Sequence, residues 1–199
     1  MKRHCAGLFL ALTLFTPTAA HAHLVNSGLG PLYDGALHLI LSPMDIVRLV
    51  ALCLFAGAQG QGPARNLVTV AAIAWFVAGA SAYAFGAAST FEITNAVSLF
   101  LLGGADAFDL KPQPLIAALV VAIFAALLGY QSGVGLRLDN ADWVSLLGAA
   151  AVAVAVMLLA TAFVVSATAF PMRIACRVLG SWASATGLLS IGWIVAAYR

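Results

Sequence analysis

The sequence predicts an all-α membrane protein, a bundle of about six transmembrane helices after a cleaved signal peptide. Of the 199 residues, 63% are hydrophobic and only 8% are charged, whereas a soluble domain carries about 25% charged residues. The apolar residues form long runs separated by short Gly-, Pro- and Asp-containing breaks, which is typical of helices that cross a bilayer. The length predicts a single domain.

Residues 1–22 have the pattern of a signal peptide. Lys2 and Arg3 form a positive start, an apolar stretch follows at 6–15, and Ala20-His21-Ala22 supplies the small-residue pattern of a cleavage site. The alternative is a retained signal anchor. Ten apolar residues, however, cover only about 15 Å of a hydrocarbon core that is roughly 30 Å thick.

The cleavage site decides what His23 can do. Cleavage after Ala22 would make His23 the new N-terminus, where the amine and the imidazole could chelate one metal ion. Cleavage after Ala20 would place His23 third from the free amine, an arrangement whose nitrogens suit Cu²⁺ or Ni²⁺. The alternative, equally open, is that these histidines only surround a cut site. His23 is therefore a candidate metal ligand.

The mature chain, 23–199, is predicted to be one polytopic membrane domain. Its first apolar segment, 31–41, is too short to span and is predicted to be re-entrant or interfacial. The stretch 131–142, with two glycines and several charged residues, is predicted to be a loop. Six helices are predicted around these breaks, at 44–58, 65–86, 91–105, 114–130, 143–168 and 173–198.

The signal peptide and the basic residues together predict the orientation. The leader would deliver the mature N-terminus to the periplasmic face of a bacterial inner membrane. Six crossings then place four basic residues in the cytoplasm and two outside, in agreement with the positive-inside rule. The first group is Arg65, Lys111, Arg173 and Arg177, and the second is Arg137 and Arg199. Arg48, one turn into the first long helix, is expected to snorkel to the interface.

The best candidate for cation chemistry is the group Asp34, His38 and Asp45, with Met44 beside it. Asp34 and His38 are four residues apart and share a helix face. A carboxylate beside an imidazole fixes its tautomer and makes it a better ligand. Imidazole, carboxylate and thioether suit a borderline divalent ion. The alternative is that Asp34 and His38 lie at the water interface while Asp45 caps a helix.

Further acidic residues could serve the same cation. Glu92 lies one turn before Asn95 at the start of the third helix and is a candidate relay residue, the alternative being an ordinary first-turn acid. Asp106 and Asp109 could accept a cation that leaves toward the cytoplasm. The simpler interpretation of that pair is a solvated turn.

Several classes of function are excluded by what the sequence lacks. It has no phosphate-binding Gly-Lys-Ser/Thr loop, no His-Glu-x-x-His, no dinucleotide-binding glycine pattern, and no haem or iron–sulfur ligand set. The scattered basic residues form no nucleic-acid surface. The small residues Gly180, Ser184 and Gly187 favour close helix packing over a serine nucleophile. We therefore expect no enzyme and no permanently bound cofactor.

Two stretches of the sequence resemble the HupE/UreJ family of hydrogenase and urease accessory membrane proteins. The N-terminal match runs from Ala20-His21-Ala22-His23 through the Tyr33-Asp34-Gly35 and His38 region to Ser42-Pro43-Met44-Asp45. The C-terminal match is Arg173-Ile174-Ala175-Cys176-Arg177-Val178-Leu179-Gly180-Ser181-Trp182. The sequence is most similar to the branch with a Tyr-Asp-Gly-x-x-His start. The resemblance covers most of the mature chain.

The resemblance implies a secondary nickel or cobalt permease that supplies metalloenzymes without ATP hydrolysis. The better-studied branch carries a first-helix motif His-Pro-x-x-Gly-x-Asp-His, to which only His38 and Asp45 correspond here. Ile46 stands where the second histidine is expected, and the stretch 128–133 lacks the later histidines of that branch. These departures weaken the implied nickel affinity.

The sequence-based prediction is therefore a permease for a divalent transition metal, Ni²⁺ or Co²⁺. Its metal ligands would be His23, Asp34, His38 and Asp45, with Glu92 as a further candidate. The alternative is a non-transporting membrane accessory or scaffold protein that assembles with a partner. The lipid bilayer and the divalent ion are the expected partners, and a homo-oligomer or accessory proteins remain open.

Overall fold

The computed structural model describes residues 27–87 and 90–197. The predicted signal peptide and His23 lie outside these residues. The described chain forms seven α-helices and no strand, which confirms the all-α class. In chain order they are α1 Pro31–Ile40, α2 Pro43–Ala58, α3 Gln61–Phe85, α4 Glu92–Ala107, α5 Pro114–Leu138, α6 Trp143–Ser166 and α7 Phe170–Ala197.

Four of the helices, α3, α5, α6 and α7, are long and apolar enough to cross a membrane. The pair α1 and α2 is bent by 73° at the break and would add a fifth span if it counts as one. The helix predicted at 91–105 is present as α4. With 16 residues, it is only about 24 Å long, which is less than the roughly 30 Å hydrocarbon core.

Local sequence explains where several helices begin. Proline occupies the first turn of α1, α2 and α5, where its missing N–H removes no intrahelical hydrogen bond. The N-terminus of α6 is capped by the side chain of Asp142, one oxygen of which accepts a hydrogen bond of 3.0 Å from the Val144 N–H.

The prediction of a loop at 131–142 was wrong for most of these residues. Helix α5 continues from the predicted end at residue 130 to Leu138, so only residues 139–142 connect it to α6. The two glycines that suggested a loop are instead places where α5 approaches a neighbouring helix closely. A side chain on Gly133 would collide with the backbone of Gly79 on α3, and one on Gly135 would press on His38. Packing therefore outweighs the low helix propensity of glycine, about 1 kcal/mol per residue.

The short helix α2 lies at the centre of the bundle and contacts every other helix. Around it α3 pairs with α5, α4 pairs with α7, and α1 packs on α6. Glycines permit the closest of these contacts: a side chain on Gly129 would meet the Trp75 backbone, and one on Gly187 would meet the Phe100 backbone. The sequence pattern that predicted close packing of the last helix through Gly180 and Gly187 is therefore confirmed.

Helices α2 to α7 alternate in direction, and this gives the bundle two ends. At the end called here the Arg48 end, Arg48 near the start of α2 reaches Asn95 near the start of α4 and Gln131 on α5. At the Asp106 end, Gln59 after α2 donates to the Leu110 carbonyl after α4. Lys111, Arg173 and Arg177 lie at the Asp106 end, and Arg137 lies at the Arg48 end.

Candidate functional site

A buried arginine organises the Arg48 end. The Arg48 residue is 1% exposed. Its Nη1 donates to Asn95 Oδ1 at 2.6 Å and to Gln131 Oε1 at 2.8 Å, and its Nε donates to the Met44 carbonyl at 3.3 Å. Its Nη2 forms an ion pair with Asp45. Arg48 thus joins α2, α4 and α5, and the expectation that it snorkels to the interface was wrong, because three polar partners inside the bundle satisfy it.

Asp45 of the predicted cluster is consequently not a free ligand. Its Oδ1 accepts the Arg48 Nη2 hydrogen bond, and its side chain is 22% exposed. One carboxylate oxygen therefore faces a fixed cation while part of the group stays accessible. A metal ion that uses Asp45 must share the carboxylate with Arg48 or displace the guanidinium.

His38 faces a carboxylate that the sequence did not single out. It is buried on α1, and its Nδ1 lies 4.0 Å from Asp139 Oδ2 after α5, which is too long for a hydrogen bond. Its Nε2 lies beside Gly135, where an added Cβ would be 3.2 Å away. The charges of Asp139 and Asp45 both act on this imidazole, so His38 and Asp45 lie within electrostatic range of each other.

The Asp34 side chain points toward the segment that precedes α1. Its Oδ1 accepts hydrogen bonds from the Ser27 backbone N–H at 2.8 Å and from the Ser27 hydroxyl at 2.6 Å. α1 packs on α6 through Gly35, which touches the Ser145 backbone, and through Leu32, whose backbone touches Gly148. Because residues 31–40 are helical, Asp34 and His38 share a face of α1, although Asp34 accepts its hydrogen bonds from Ser27 and His38 lies beside Gly135 of α5.

Glu92 lies at the rim of a shallow groove. The groove has a volume of about 610 Å³ and is lined by Met44, Asn95, Ser190 and Trp193 among others. The Glu92 residue is exposed. Because Asn95 also accepts from Arg48, the groove leads from Glu92 to the buried network.

The opposite end holds a buried carboxyl group. Asp106 is 6% exposed, and neither of its oxygens has a hydrogen-bond partner within the part of the chain that the structure describes. It is one of the residues that line a cavity of about 450 Å³, together with Asp109, Lys111, Cys176 and Arg177. The solvated turn expected for Asp106 and Asp109 is correct only for Asp109, because α4 continues to Ala107 and buries Asp106 against Gly180 of α7.

One face of α4 connects the two ends. Asn95, Ser98, Leu102 and Asp106 follow each other at three or four residues and share that face. All but Asn95 are classed among the buried residues. Ser98 gives its hydroxyl proton to the Thr94 carbonyl at 2.6 Å. The polar face is interrupted by Leu102, so the two polar regions are separated by an apolar layer.

The predicted ligands do not form a closed metal site. Among residues 27–87 and 90–197, no three His, Cys, Asp or Glu side chains lie close enough together to hold a metal ion. His38 and Asp45 share one region, Asp34 is held by Ser27, and Glu92 lies on the groove. His23 is outside the described residues. The metal ligation of these five residues therefore stays a prediction.

Sequence reasoning considered Gln131 as a residue that could line a path but did not connect it with Arg48, and it missed Asp139. Both fall in the stretch that was predicted to be a loop, and only the continuation of α5 brings them opposite α2 and α1. The polar residues of 131–139 lie at 131, 132, 137 and 139 and show no helical repeat, so the sequence carried no periodic signal. The charged end of that stretch favoured a solvated loop.

A comparison with known protein families gave a match. The family model described as HupE / UreJ protein matches residues 10–190 of the chain. Searches of curated proteins and of solved structures gave no significant match. Because the match spans most of the chain, the resemblance seen in the two terminal motifs is confirmed. The chain belongs to the HupE/UreJ family and is a nickel- or cobalt-related accessory membrane protein.

Proposed function

We propose that the protein is a permease that moves a divalent transition-metal cation, Ni²⁺ or Co²⁺, across the bacterial inner membrane for metalloenzyme maturation. The observation that carries the proposal is the buried Arg48 near one end of an apolar bundle, with the part-buried side chains of Asp45, Asn95 and Gln131 as its partners. Such groups are costly in a membrane interior and usually mark an ion pathway. The family membership supports the same kind of cargo.

Capture would take place at the Arg48 end. His38 supplies an imidazole, and Asp45 supplies a partly exposed carboxylate within electrostatic range of it. Both ligand types suit a borderline divalent ion, which is here the substrate of the protein. Glu92 at the groove, with Asp34 and His23 as the further predicted ligands, would raise the local cation concentration.

Arg48 would keep the unloaded pathway closed. Its guanidinium occupies the carboxylate that an incoming cation needs, so a metal ion enters by replacing one positive charge with another. Asn95 and Gln131 can hold the displaced guanidinium, because both already accept from its Nη1. The exchange avoids leaving Asp45 buried without a counter-charge, which would be costly.

The test is uptake of radioactive ⁶³Ni²⁺ by proteoliposomes that contain only this protein. We expect His38→Ala and Asp45→Asn each to lower the uptake rate at least about tenfold, because each removes a ligand worth roughly 1.4 kcal/mol or more. Asp142→Asn is the matched control, since Asp142 is an exposed acid at the same end and asparagine caps a helix equally well. Wild-type uptake no greater than that of protein-free vesicles would refute the permease.

A second candidate is a non-transporting accessory protein. Two observations favour it. Asp45 is already paired with Arg48, and the described residues offer no three-ligand metal site. In that case Arg48 and its acceptors serve only to hold α2, α4 and α5 together. This candidate would be supported if proteoliposomes showed no ⁶³Ni²⁺ uptake and a metalloenzyme maturation protein co-purified with the protein from the native membrane.

A further inference from the structure

Asp106 is a buried carboxyl group without a protein partner. The residue is only 6% exposed and is therefore 94% buried. Both of its carboxyl oxygens lack a hydrogen-bond partner among the described residues. An ionised carboxylate in such a place is expensive, whereas a protonated carboxyl is much less so. The position is fixed by backbone contact, because a side chain on Gly180 would collide with Asp106 Cβ.

The basic side chains around Asp106 are engaged elsewhere. In the turn after α4, Lys111 Nζ lies 3.3 Å from Asp109 Oδ2, and Arg173 Nη2 of α7 lies 3.7 Å from the same oxygen. Arg177 Nε of α7 donates to the Ala107 carbonyl at 3.0 Å. These groups form the rim of the 450 Å³ cavity that Asp106 lines. They leave Asp106 itself unpaired.

The remaining titratable groups near Asp106 are two thiols. Cys176 of α7 lines the same cavity, and Cys53 of α2 lies within electrostatic range of Asp106. Cys53 is buried, and both cysteines are free. A thiol is neutral or negatively charged and never positive, so neither neighbour offers Asp106 a counter-charge.

This environment suits a proton better than a divalent metal ion. A divalent ion needs several ligands, but the described residues provide no group of three. The rim carries three basic side chains against one part-buried acid, Asp109, and this excess positive charge disfavours a bound divalent cation. A proton needs only one carboxylate oxygen and cancels the charge that burial disfavours. Water in the cavity can deliver it.

We propose that Asp106 is the proton-binding group of the transport cycle and that the protein exchanges a divalent metal ion for protons. The inference rests on the proposed permease function. A hydronium ion in the cavity gives its proton to an Asp106 oxygen, forming an O–H bond and leaving water. Release reverses the step. The ionised carboxylate stabilises a divalent ion that passes without being ligated there, and the neutral carboxyl does not, so protonation of Asp106 and passage of the cargo are coupled.

The test measures metal and proton movement in the same proteoliposomes. ⁶³Ni²⁺ counterflow between equal nickel concentrations reports metal movement alone, and a pH-sensitive dye in the lumen reports protons that move when nickel is added outside. For the wild type we expect both signals. For Asp106→Asn we expect the proton signal to fall to that of protein-free vesicles, while counterflow stays within about twofold.

Two further variants separate the carboxyl group from general damage. Asp106→Glu keeps a titratable group and is expected to keep the proton signal. Asp142→Asn removes an exposed acid at the opposite end of the bundle and is expected to change neither signal. Asparagine suits that position because it caps a helix as well as aspartate does.

Several results would overturn the proposal. They are nickel influx into wild-type vesicles without any proton movement, a proton signal that persists in Asp106→Asn, and loss of counterflow in a well-folded Asp106→Asn protein, which would make Asp106 a metal ligand. The wild-type measurement decides the matter even if the asparagine variant does not fold. Absence of wild-type counterflow instead refutes the permease itself, so the two failures are distinguishable.

Discussion

At the Arg48 end a buried guanidinium has acceptors on three helices, whereas at the Asp106 end a buried carboxyl group has none among the described residues. Both groups lie within one apolar bundle and are connected by one face of α4. The first arrangement holds helices together, and its hydrogen bonds offset the desolvation cost of the buried guanidinium. The second contributes little to stability and leaves the group free to change its protonation state.

The largest effect expected from this comparison is that of Arg48→Met. The substitution removes the partner of Asp45 and the donor to Asn95 and Gln131, so a part-buried acid and two part-buried amides lose these hydrogen bonds. We expect a loss of about 3–5 kcal/mol in unfolding free energy, the usual result of breaking a buried ion pair. Denaturant-induced unfolding of the purified protein in detergent measures it.

The control for Arg48→Met is Arg137→Met at the same end. Arg137 makes an exposed hydrogen bond to the Ala84 carbonyl, so its loss should cost less than about 1 kcal/mol. Equal effects of the two substitutions would show that the buried network does not stabilise the bundle.

A smaller loss is expected for Gly180→Ala. The added methyl group would collide with Asp106 Cβ and with the backbone of α4, and overpacking of this kind costs about 1–3 kcal/mol. Gly192→Ala on the same helix is the matched control, because nothing lies within 4 Å of the added atom. Thermal unfolding in detergent distinguishes them, and equal midpoints would contradict the close approach of α4 and α7.

The smallest effect is expected for Asp106→Asn. Because the carboxyl group has no hydrogen-bond partner in the described chain, its replacement by an amide of the same shape removes no favourable contact. We expect the unfolding free energy to change by less than about 1 kcal/mol. A loss comparable to that of Arg48→Met would indicate that Asp106 has a structural partner and would make the two ends alike.

The sequence predicted the helical architecture well because apolar periodicity and short breaks depend on local composition. The starts of α2, α5 and α6 fall close to their predicted positions for that reason. The end of α5 was missed because the glycines at 133 and 135 break helices on average, and only the contacts with α3 and with His38 of α1 show that they are needed here.

The site was predicted less well than the fold. His38 and Asp45 were identified from their side chains, but the pairing of Asp45 with Arg48 depends on the direction of one long side chain. The burial of Asp106 depends on α7, which follows it by more than sixty residues in the chain. Neither feature has a local sequence signal.

The shortness of the two inner helices has an electrical consequence. α2 and α4 have 16 residues each, about 24 Å of helix, beside neighbours of 24 to 28 residues. In the proposed transport cycle, water that enters beside these short helices would confine most of a transmembrane voltage to the apolar layer between Arg48 and Asp106. A doubly charged ion crossing that layer would gain or lose about 4.6 kcal/mol per 100 mV, so membrane potential would act directly on the central step of transport.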